Sequence, residues 1–312
     1  MAAICKAVAD PLRLDIVRLL SRDSYGVQEL AYIFDMPQPG MSHHLKVLTS
    51  AGLLSSRRQG NSIFYRRRLL GESDDFADFI KNLYQSVDTL TVGDDVVARV
   101  EQVQQERATL SAEFFRKHAD RFRDEQGQPC ELNQYLPSLV DMLNVLEAKR
   151  TSRVLEVGPG HGELLKELGK RYGEIVALDE SEQMLAVAKE NLARHKKIQF
   201  VQGSLEEFEK GDQGHFELVV LNMVLHHMPS PATAFQQLFR LIVPGGGLII
   251  ADLCAHDQEW TKDSCGDLWQ GFDPEELSAW AQAAGLVEVQ SQFLGLKNGF
   301  QIQLGLFKRD IA

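Results

Sequence analysis

Cysteine is scarce in this chain: four among 312 residues, Cys5, Cys130, Cys254 and Cys265, with no Cys-x-x-Cys pair. That scarcity excludes a dense disulfide framework and a zinc-finger spacing, and it fits a reducing compartment, so a cytoplasmic location is expected. Long apolar runs are missing too. Lys6 and Asp10 interrupt the start before a secretory core forms, and no later run approaches the ~18 apolar residues of a spanning helix, so no membrane partner is expected. Positive charge is thin outside one region. Residues 1–70 hold ten Lys or Arg against five Asp or Glu, whereas the remainder carries 23 basic and 39 acidic residues within an overall net charge of -11. Only the amino-terminal part suits a polyanion. What remains, 44% hydrophobic and 25% charged residues, is ordinary for a globular protein, and the length fits about two domains.

In the basic region, Asp10-Pro11 reads as a helix start, with Leu12, Ile16, Leu19 and Leu20 on one face. A short helix over Val27 to Phe34 stops at the turn Asp35-Met36-Pro37, and the next runs from Gln38 with Leu45 and Leu48 facing inward. Its first turn is left small and polar, as a recognition helix needs when its amino-terminal residues approach base edges in the major groove. Gln38, Gly40, Met41, Ser42 and His43 are the base-proximal candidates, with Lys46 one turn on. Two alternating segments around Gly60-Asn61 then predict a hairpin, or wing, whose Arg57, Arg58, Arg66, Arg67 and Arg68 contact phosphate or the minor groove.

Through Ala9-Asp10-Pro11-Leu12-Arg13-Leu14-Asp15-Ile16-Val17-Arg18-Leu19-Leu20, Ser42-His43-His44-Leu45-Lys46-Val47-Leu48 and Ala51-Gly52-Leu53-Leu54, the stretch from about Ala7 to Arg67 resembles the ArsR/SmtB family of winged-helix regulators. The resemblance implies a homodimer that reads a palindromic double-stranded DNA operator and is released by an effector. The family's metal sensors place Cys-x-Cys before the recognition helix or Asp/His ligands on the carboxy-terminal helix. Here Tyr25-Gly26-Val27-Gln28-Glu29-Leu30 has no cysteine and the later helix offers only His118, so no metal is assigned and a metal or dithiol switch is disfavoured.

Residues 72 to 118 read as helical with a break near Gly93, and the stripe Val96, Val97, Val100, Val103 is read as a dimer seam. The best linker is Asp124 to Cys130, and a helix over Leu136 to Leu146 is placed to cover a cofactor mouth. The division expected is 1–70 for DNA binding, 71–123 for a helical dimerisation and connecting segment, and 124–312 for a cofactor domain. In that last part, segments alternate as strand and helix from Arg153 onward, which specifies a doubly wound parallel sheet. The final pair, Leu286 to Leu294 and Phe300 to Phe307, flanks Lys297-Asn298-Gly299 as a hairpin, so the last strand runs antiparallel.

The first strand breaks into Glu156-Val157-Gly158-Pro159-Gly160-His161-Gly162, a glycine loop, and Asp179 ends the second strand where a ribose would lie. A glycine loop after a strand serves NAD, FAD or S-adenosylmethionine. The spacing Glu-x-Gly-x-Gly-x-Gly and the terminal hairpin favour S-adenosylmethionine. From about Thr151 to Lys308 the chain resembles the class I methyltransferases. The fold class is therefore α/β, an N-terminal winged helix-turn-helix plus a C-terminal doubly wound, Rossmann-like methyltransferase domain.

That resemblance implies that Glu156, Gly158 and Gly160 line the methionine end of the cofactor and that Gly162 completes the loop. It further implies that Asp179 accepts the ribose hydroxyls, Ser204 and Leu205 sit at the adenine edge, and Asn222 lies beside the transferable methyl. Many relatives carry Asp where Ser204 stands. Asn222-Met223-Val224-Leu225-His226-His227-Met228 is similar to the run in small-molecule members, including quinone-ring methyltransferases, and differs from the Asn-Pro-Pro-aromatic motif of amino-directed DNA methylation. His226 or His227 is the candidate general base, with packing or cofactor support as the alternative. Cys254 with Cys265 lacks the third thiol that a metalloid site wants. Trp260, Trp269 and Phe272 read either as a lid or as core. The functional expectation is a DNA-binding regulator whose cofactor domain senses S-adenosylmethionine or S-adenosylhomocysteine. The alternative is an active small-molecule methyltransferase with an autoregulatory DNA-binding module.

Overall fold

The structure is a computed structural model that describes residues 1–71, 73–118, 129–146, 148–193, 197–211 and 215–311. The predicted linker lies outside these except for Pro129 and Cys130, as does Arg194 at the end of a predicted helix. The chain divides into two compact units, Met1–Arg107 and Ala108–Ala312.

The first unit is a winged helix. Helices α1 (Ala2–Val8), α2 (Pro11–Leu19), α3 (Val27–Ile33) and α4 (Gln38–Ser50) are followed by the hairpin β2 (Leu54–Gln59) and β3 (Ser62–Arg67), and the short β1 (Tyr25–Gly26) pairs with β3. Asp10 caps α2 by accepting from the Arg13 backbone N–H at 3.1 Å, a contact worth about 1 kcal/mol. Gly60 turns the hairpin at φ 60°, the first central position of a two-residue loop, where glycine bears no Cβ penalty. Ile16, Leu30, Met41, Leu45 and Leu48 are sealed in one core, each contributing about 1.5–3 kcal/mol by leaving water.

Helix α5 (Ala77–Asp88) and helix α6 (Asp94–His118) follow, with the predicted break at Gly93 between them. The stripe read as a dimer seam mostly packs within its own chain: Val103 is buried and Val96 and Val100 pack against that core, while Val97 is exposed. Arg107 closes the unit. Its guanidinium donates to both oxygens of Glu29 at 2.8 and 2.7 Å, and Glu29 in turn accepts from the Gly26 backbone N–H.

The second unit is a seven-stranded sheet in the order β6-β5-β4-β7-β8-β10-β9. Its strands are β4 (Arg153–Val157), β5 (Glu174–Asp179), β6 (Ile198–Gln202), β7 (Phe216–Asn222), β8 (Ile242–Leu253), β9 (Leu286–Gly295) and β10 (Gln301–Arg309). The first five are parallel, and β10 lies antiparallel between β8 and β9. Near-continuous apolar strands such as Val219-Val220-Leu221 mark a sheet covered on both faces. Helix α7 (Leu132–Val145) packs Leu139, Met142 and Leu143 onto it. Further helices are α8 (Glu163–Arg171), α9 (Glu182–Asn191), α10 (Leu205–Gly211), α11 (Pro231–Leu241), α12 (Trp260–Cys265) and α13 (Pro274–Ala284). From β4 the sheet grows outward through β5 to β6 on one side, and the chain then crosses back to β7 on the other side of β4, so the carboxyl ends of these strands form the switch point where ligands bind in such sheets. No helix among the described residues is long and apolar enough to cross a membrane.

Candidate functional site

At that switch point lies a cavity of ≈ 340 Å³, within the range of about 300–1,000 Å³ for small-molecule sites. Gly158 and Gly160 form one wall at φ 64° and 54°. A Cβ on Gly158 would stand 2.5 Å from Val224 Cγ2, so the loop's approach to its neighbour requires glycine. The Gly158 backbone N–H donates to the Leu178 carbonyl at 2.8 Å, which ties the loop to β5 and brings Asp179 to the same cavity. Asp179 accepts from the Ser181 N–H at 2.8 Å. Burial nevertheless pushes its carboxyl up to about 6, with that hydrogen bond opposing and the Glu180 charge adding.

Leu205 lines the cavity, as do Gln202, Gly203, Met223 and Val224, which the sequence reading missed. Met223 holds φ 56°, a left-handed conformation costly for a side chain and the kind of strain concentrated at ligand sites. Four predicted residues stand elsewhere. Gly162 starts α8 at φ 81°, and a Cβ there would meet Leu192 Cδ1 at 2.6 Å, so its role is helix packing. Ser204 accepts from the Glu207 N–H at 3.2 Å through its Oγ, opening α10. Asn222 accepts from the Tyr135 hydroxyl at 2.9 Å and lies behind the wall. Glu156 is buried behind the loop, where Oε2 has no hydrogen-bond partner among the described residues and burial holds its carboxyl well above the usual range.

The helix over Leu136 to Leu146 was placed to cover the cofactor mouth, yet none of that segment borders the cavity. Ala108, Ser111, Ala112, Phe115 and Arg116 of α6 do. The only sequence signal was the pair Phe114-Phe115 ending a charged helix. Phe115 meets the His227 ring edge-on at 4.9 Å. His227 therefore faces the cavity, whereas His226 does not: its Nδ1 lies 2.7 Å from Asp252 and its Nε2 3.6 Å from Asp267. Burial alone would lower His226, but the two carboxylates outweigh it and raise it to about 9. Burial and then the His226 charge hold His227 well below the ordinary range. A buried imidazole clamped by two acids supports its neighbours and is not placed to take a proton from a substrate. Trp269 and Phe272, read as lid or core, are buried core residues.

On the winged helix, Gln38, Ser42, His43 and Lys46 are exposed along α4 and Gly40 is half-buried. Met41 is the correction, 0% exposed, because it shares the inner face with Leu45 and Leu48 at helical spacing. Arg58 is exposed at the hairpin tip, and Arg57 and Arg66 are half-buried on its strands. Arg67 is not offered to a ligand. Its guanidinium pairs with both oxygens of Asp88, donates to the Val17 carbonyl at 2.6 Å and stacks on Tyr84, leaving the side chain 10% exposed. Arg68 is engaged by Asp74.

A glycine loop at the switch point of a doubly wound sheet, with an acid on the adjacent strand, defines a nucleoside-cofactor domain, here in one chain with a winged helix. The chain belongs to the methyltransferase-domain family: the model described as "Methyltransferase domain" matches residues 123–291, and that described as "Bacterial regulatory protein, arsR family" matches residues 10–56. Its cofactor is S-adenosylmethionine. The site fits that molecule, with glycine backbone forming one wall, the Asp179 carboxylate on the same cavity and an orphaned buried carboxylate oxygen next to the loop.

The chain is 30% identical over 184 residues to an ubiquinone biosynthesis O-methyltransferase of Alkalilimnicola ehrlichii, covering 54% of this chain and 74% of that one. It is 27% identical over 186 residues to the protein of the same description from Dechloromonas aromatica, covering 55% and 80%. A solved 1,6-didemethyltoxoflavin-N1-methyltransferase of Burkholderia thailandensis, with 1,6-didemethyltoxoflavin and S-adenosylhomocysteine bound, superposes with a TM-score of 0.55 at 20% identity, over 66% of this chain and 90% of that one. The N-methyltransferase NodS of Bradyrhizobium japonicum, with S-adenosylhomocysteine, gives 0.50 at 16%, over 64% and 98%. These structural likenesses carry the fold.

Proposed function

We propose that the protein is a DNA-binding transcription regulator whose operator affinity depends on which adenosyl compound fills the methyltransferase domain. The observation that carries this reading is the composition of α6. Arg107 anchors its earlier turns to Glu29, in the helix before α4, and Ala108 to Arg116 form a wall of the cofactor cavity. A ligand shifts an equilibrium only through differential binding to its states, and a helix that belongs to both modules is a place where such a difference arises. Exposed Phe76, Phe79 and Leu90 support a second copy of the chain packing there, as a palindromic operator requires. The test is capture of genomic fragments by the full-length protein with no ligand, with S-adenosylmethionine and with S-adenosylhomocysteine. Equal recovery in all three arms would remove the sensing role.

A second reading is that the domain also methylates a hydroxyl of a small ring compound, supported by the 30% identity to a ubiquinone biosynthesis O-methyltransferase. Displacement at a sulfonium is helped mainly by positioning, which the lined cavity supplies. Turnover of dihydroxybenzene acceptors with release of S-adenosylhomocysteine, abolished in Asp179→Ala, would establish it; absence of turnover across an acceptor panel leaves the sensor reading alone.

A further inference from the structure

Beside the cofactor cavity, three buried groups have unused ligand capacity. One ring nitrogen from each of His226 and His227 and a carboxylate oxygen of Asp267 all lie within 4.8 Å of one another. Asp267 is 5% exposed, its oxygens approached by the Thr261 side chain and, at 3.6 Å, by the His226 ring; His227 Nε2 has no hydrogen-bond partner among the described residues. A buried carboxylate beside two imidazoles keeps lone pairs that these contacts do not fill, so the cluster has room for an occupant.

From this geometry we infer that His226, His227 and Asp267 form a binding site for one divalent transition-metal ion of the zinc class. Zinc is held by imidazole nitrogen and carboxylate oxygen at about 2.0–2.2 Å in a tetrahedron, which separates ligand atoms by roughly 3.3–3.6 Å. The His226 Nε2 to Asp267 Oδ1 distance is already 3.6 Å, and the His227 ring lies beside the same carboxylate, with its Nδ1 3.9 Å from Oδ1. The surroundings resemble the outer shell of metal sites, where a ligating histidine donates its other ring N–H to a carboxylate or a carbonyl. His226 Nδ1 faces Asp252 at 2.7 Å, and Asp252 is itself fixed by the Leu225 and Leu253 N–H groups. His227 Nδ1 lies 3.2 Å from the Gly266 carbonyl, which leaves Nε2 as its unengaged nitrogen.

Three protein ligands leave a fourth position for an exogenous oxygen, the pattern of a reactive rather than a sealed zinc site. Because His227 also lines the cavity, the ion would stand at its edge, able to draw the proton from a hydroxyl as a Lewis acid. That role, though not the binding, rests on the methyl-transfer reading. The sequence hid the cluster because Asp267 lies forty residues after the histidine pair, in a segment read for its aromatics and for Cys265.

The test is metal binding itself, on full-length protein stripped with a chelator. Titration with Zn²⁺ alone should give about one ion per chain by elemental analysis and calorimetry, and Co²⁺ alone should give a visible band of four-coordinate shape. Asp267→Asn should weaken Zn²⁺ at least about 100-fold and abolish the band while the circular dichroism stays that of the wild type. His227→Gln serves as the second variant should Asp267→Asn fail to fold. Substoichiometric zinc in the wild type would mean that a proton or water occupies the cluster, and equal affinity in the folded variants would put the metal elsewhere; either result overturns the site. S-adenosylhomocysteine binding, measured in parallel without metal, reports separately on the cofactor cavity.

Discussion

At the scale of single residues, Asp179 carries the sharpest expectation. A ribose offers two hydroxyls, and a hydrogen bond to a charged group is worth about 1.5–3 kcal/mol, so Asp179→Ala should weaken S-adenosylhomocysteine by ~10²-fold or more in calorimetry with the fold intact. The same residue sets a pH dependence. Burial pushes its carboxyl up to about 6, so the ionised acceptor is fully present above that value and is lost as pH falls through it. Affinity should be level between pH 7 and 8 and decline below about 6, approaching tenfold per unit, while Asp179→Asn shows a flat profile. A profile in Asp179→Asn matching the wild type would assign the titration to another group. Gly158 makes the complementary case in backbone. Ala at this position adds a Cβ 2.5 Å from Val224 Cγ2 at φ 64°, so Gly158→Ala should lower both thermal stability and cofactor affinity, whereas a merely flexible loop glycine would tolerate it.

At the scale of elements, α4 separates its two faces cleanly. Met41→Ala empties a fully buried position and should destabilise the first unit by about 2–5 kcal/mol in denaturant melts. Ser42→Ala and His43→Ala alter exposed positions, so stability should hold within about 0.5 kcal/mol while operator affinity falls, about 1–3 kcal/mol for each lost base contact. The strands of the sheet were legible because period and composition agree: Val154-Leu155, Ile175 to Leu178 and Glu217 to Asn222 read as strands and are strands. The glycine loop and Asp179 were legible as neighbours because a strand breaking into glycines and an acid ending the next strand come together at the carboxyl edge of a parallel sheet, where they line one cavity. What stayed hidden had partners at a distance or local signals that were passed over. Arg67 reads as a phosphate ligand until Asp88 takes its guanidinium, and Met41 reads as outward-facing until its spacing from Leu45 is weighed. Ser204 is a helix cap because Glu207 follows three residues later, a local signal that the resemblance overrode.

At the scale of the whole molecule, the proposed regulator role together with the charge division predicts that any DNA contact falls on the first seventy residues, the remainder carrying 23 basic against 39 acidic residues. Binding should then weaken steeply with salt, the slope of log affinity against log salt measuring about 0.9 per phosphate neutralised. Arg58→Ala should reduce that slope by roughly one, since Arg58 is exposed at the wing tip. The coupling between modules meets a stricter demand. If occupancy by S-adenosylhomocysteine changes operator affinity by some factor, linkage requires that operator DNA change S-adenosylhomocysteine affinity by the same factor, typically 5–150-fold for a coupling of about 1–3 kcal/mol. Two independent titrations therefore have to agree: operator affinity with the cavity empty and filled, and calorimetric cofactor affinity with and without operator duplex. Agreement at a factor well above one is expected if the helix lining the cavity belongs to a two-state element. Factors near one in both would leave a DNA-tethered enzyme, whose location on the chromosome, and not its ligand, decides where its product is made.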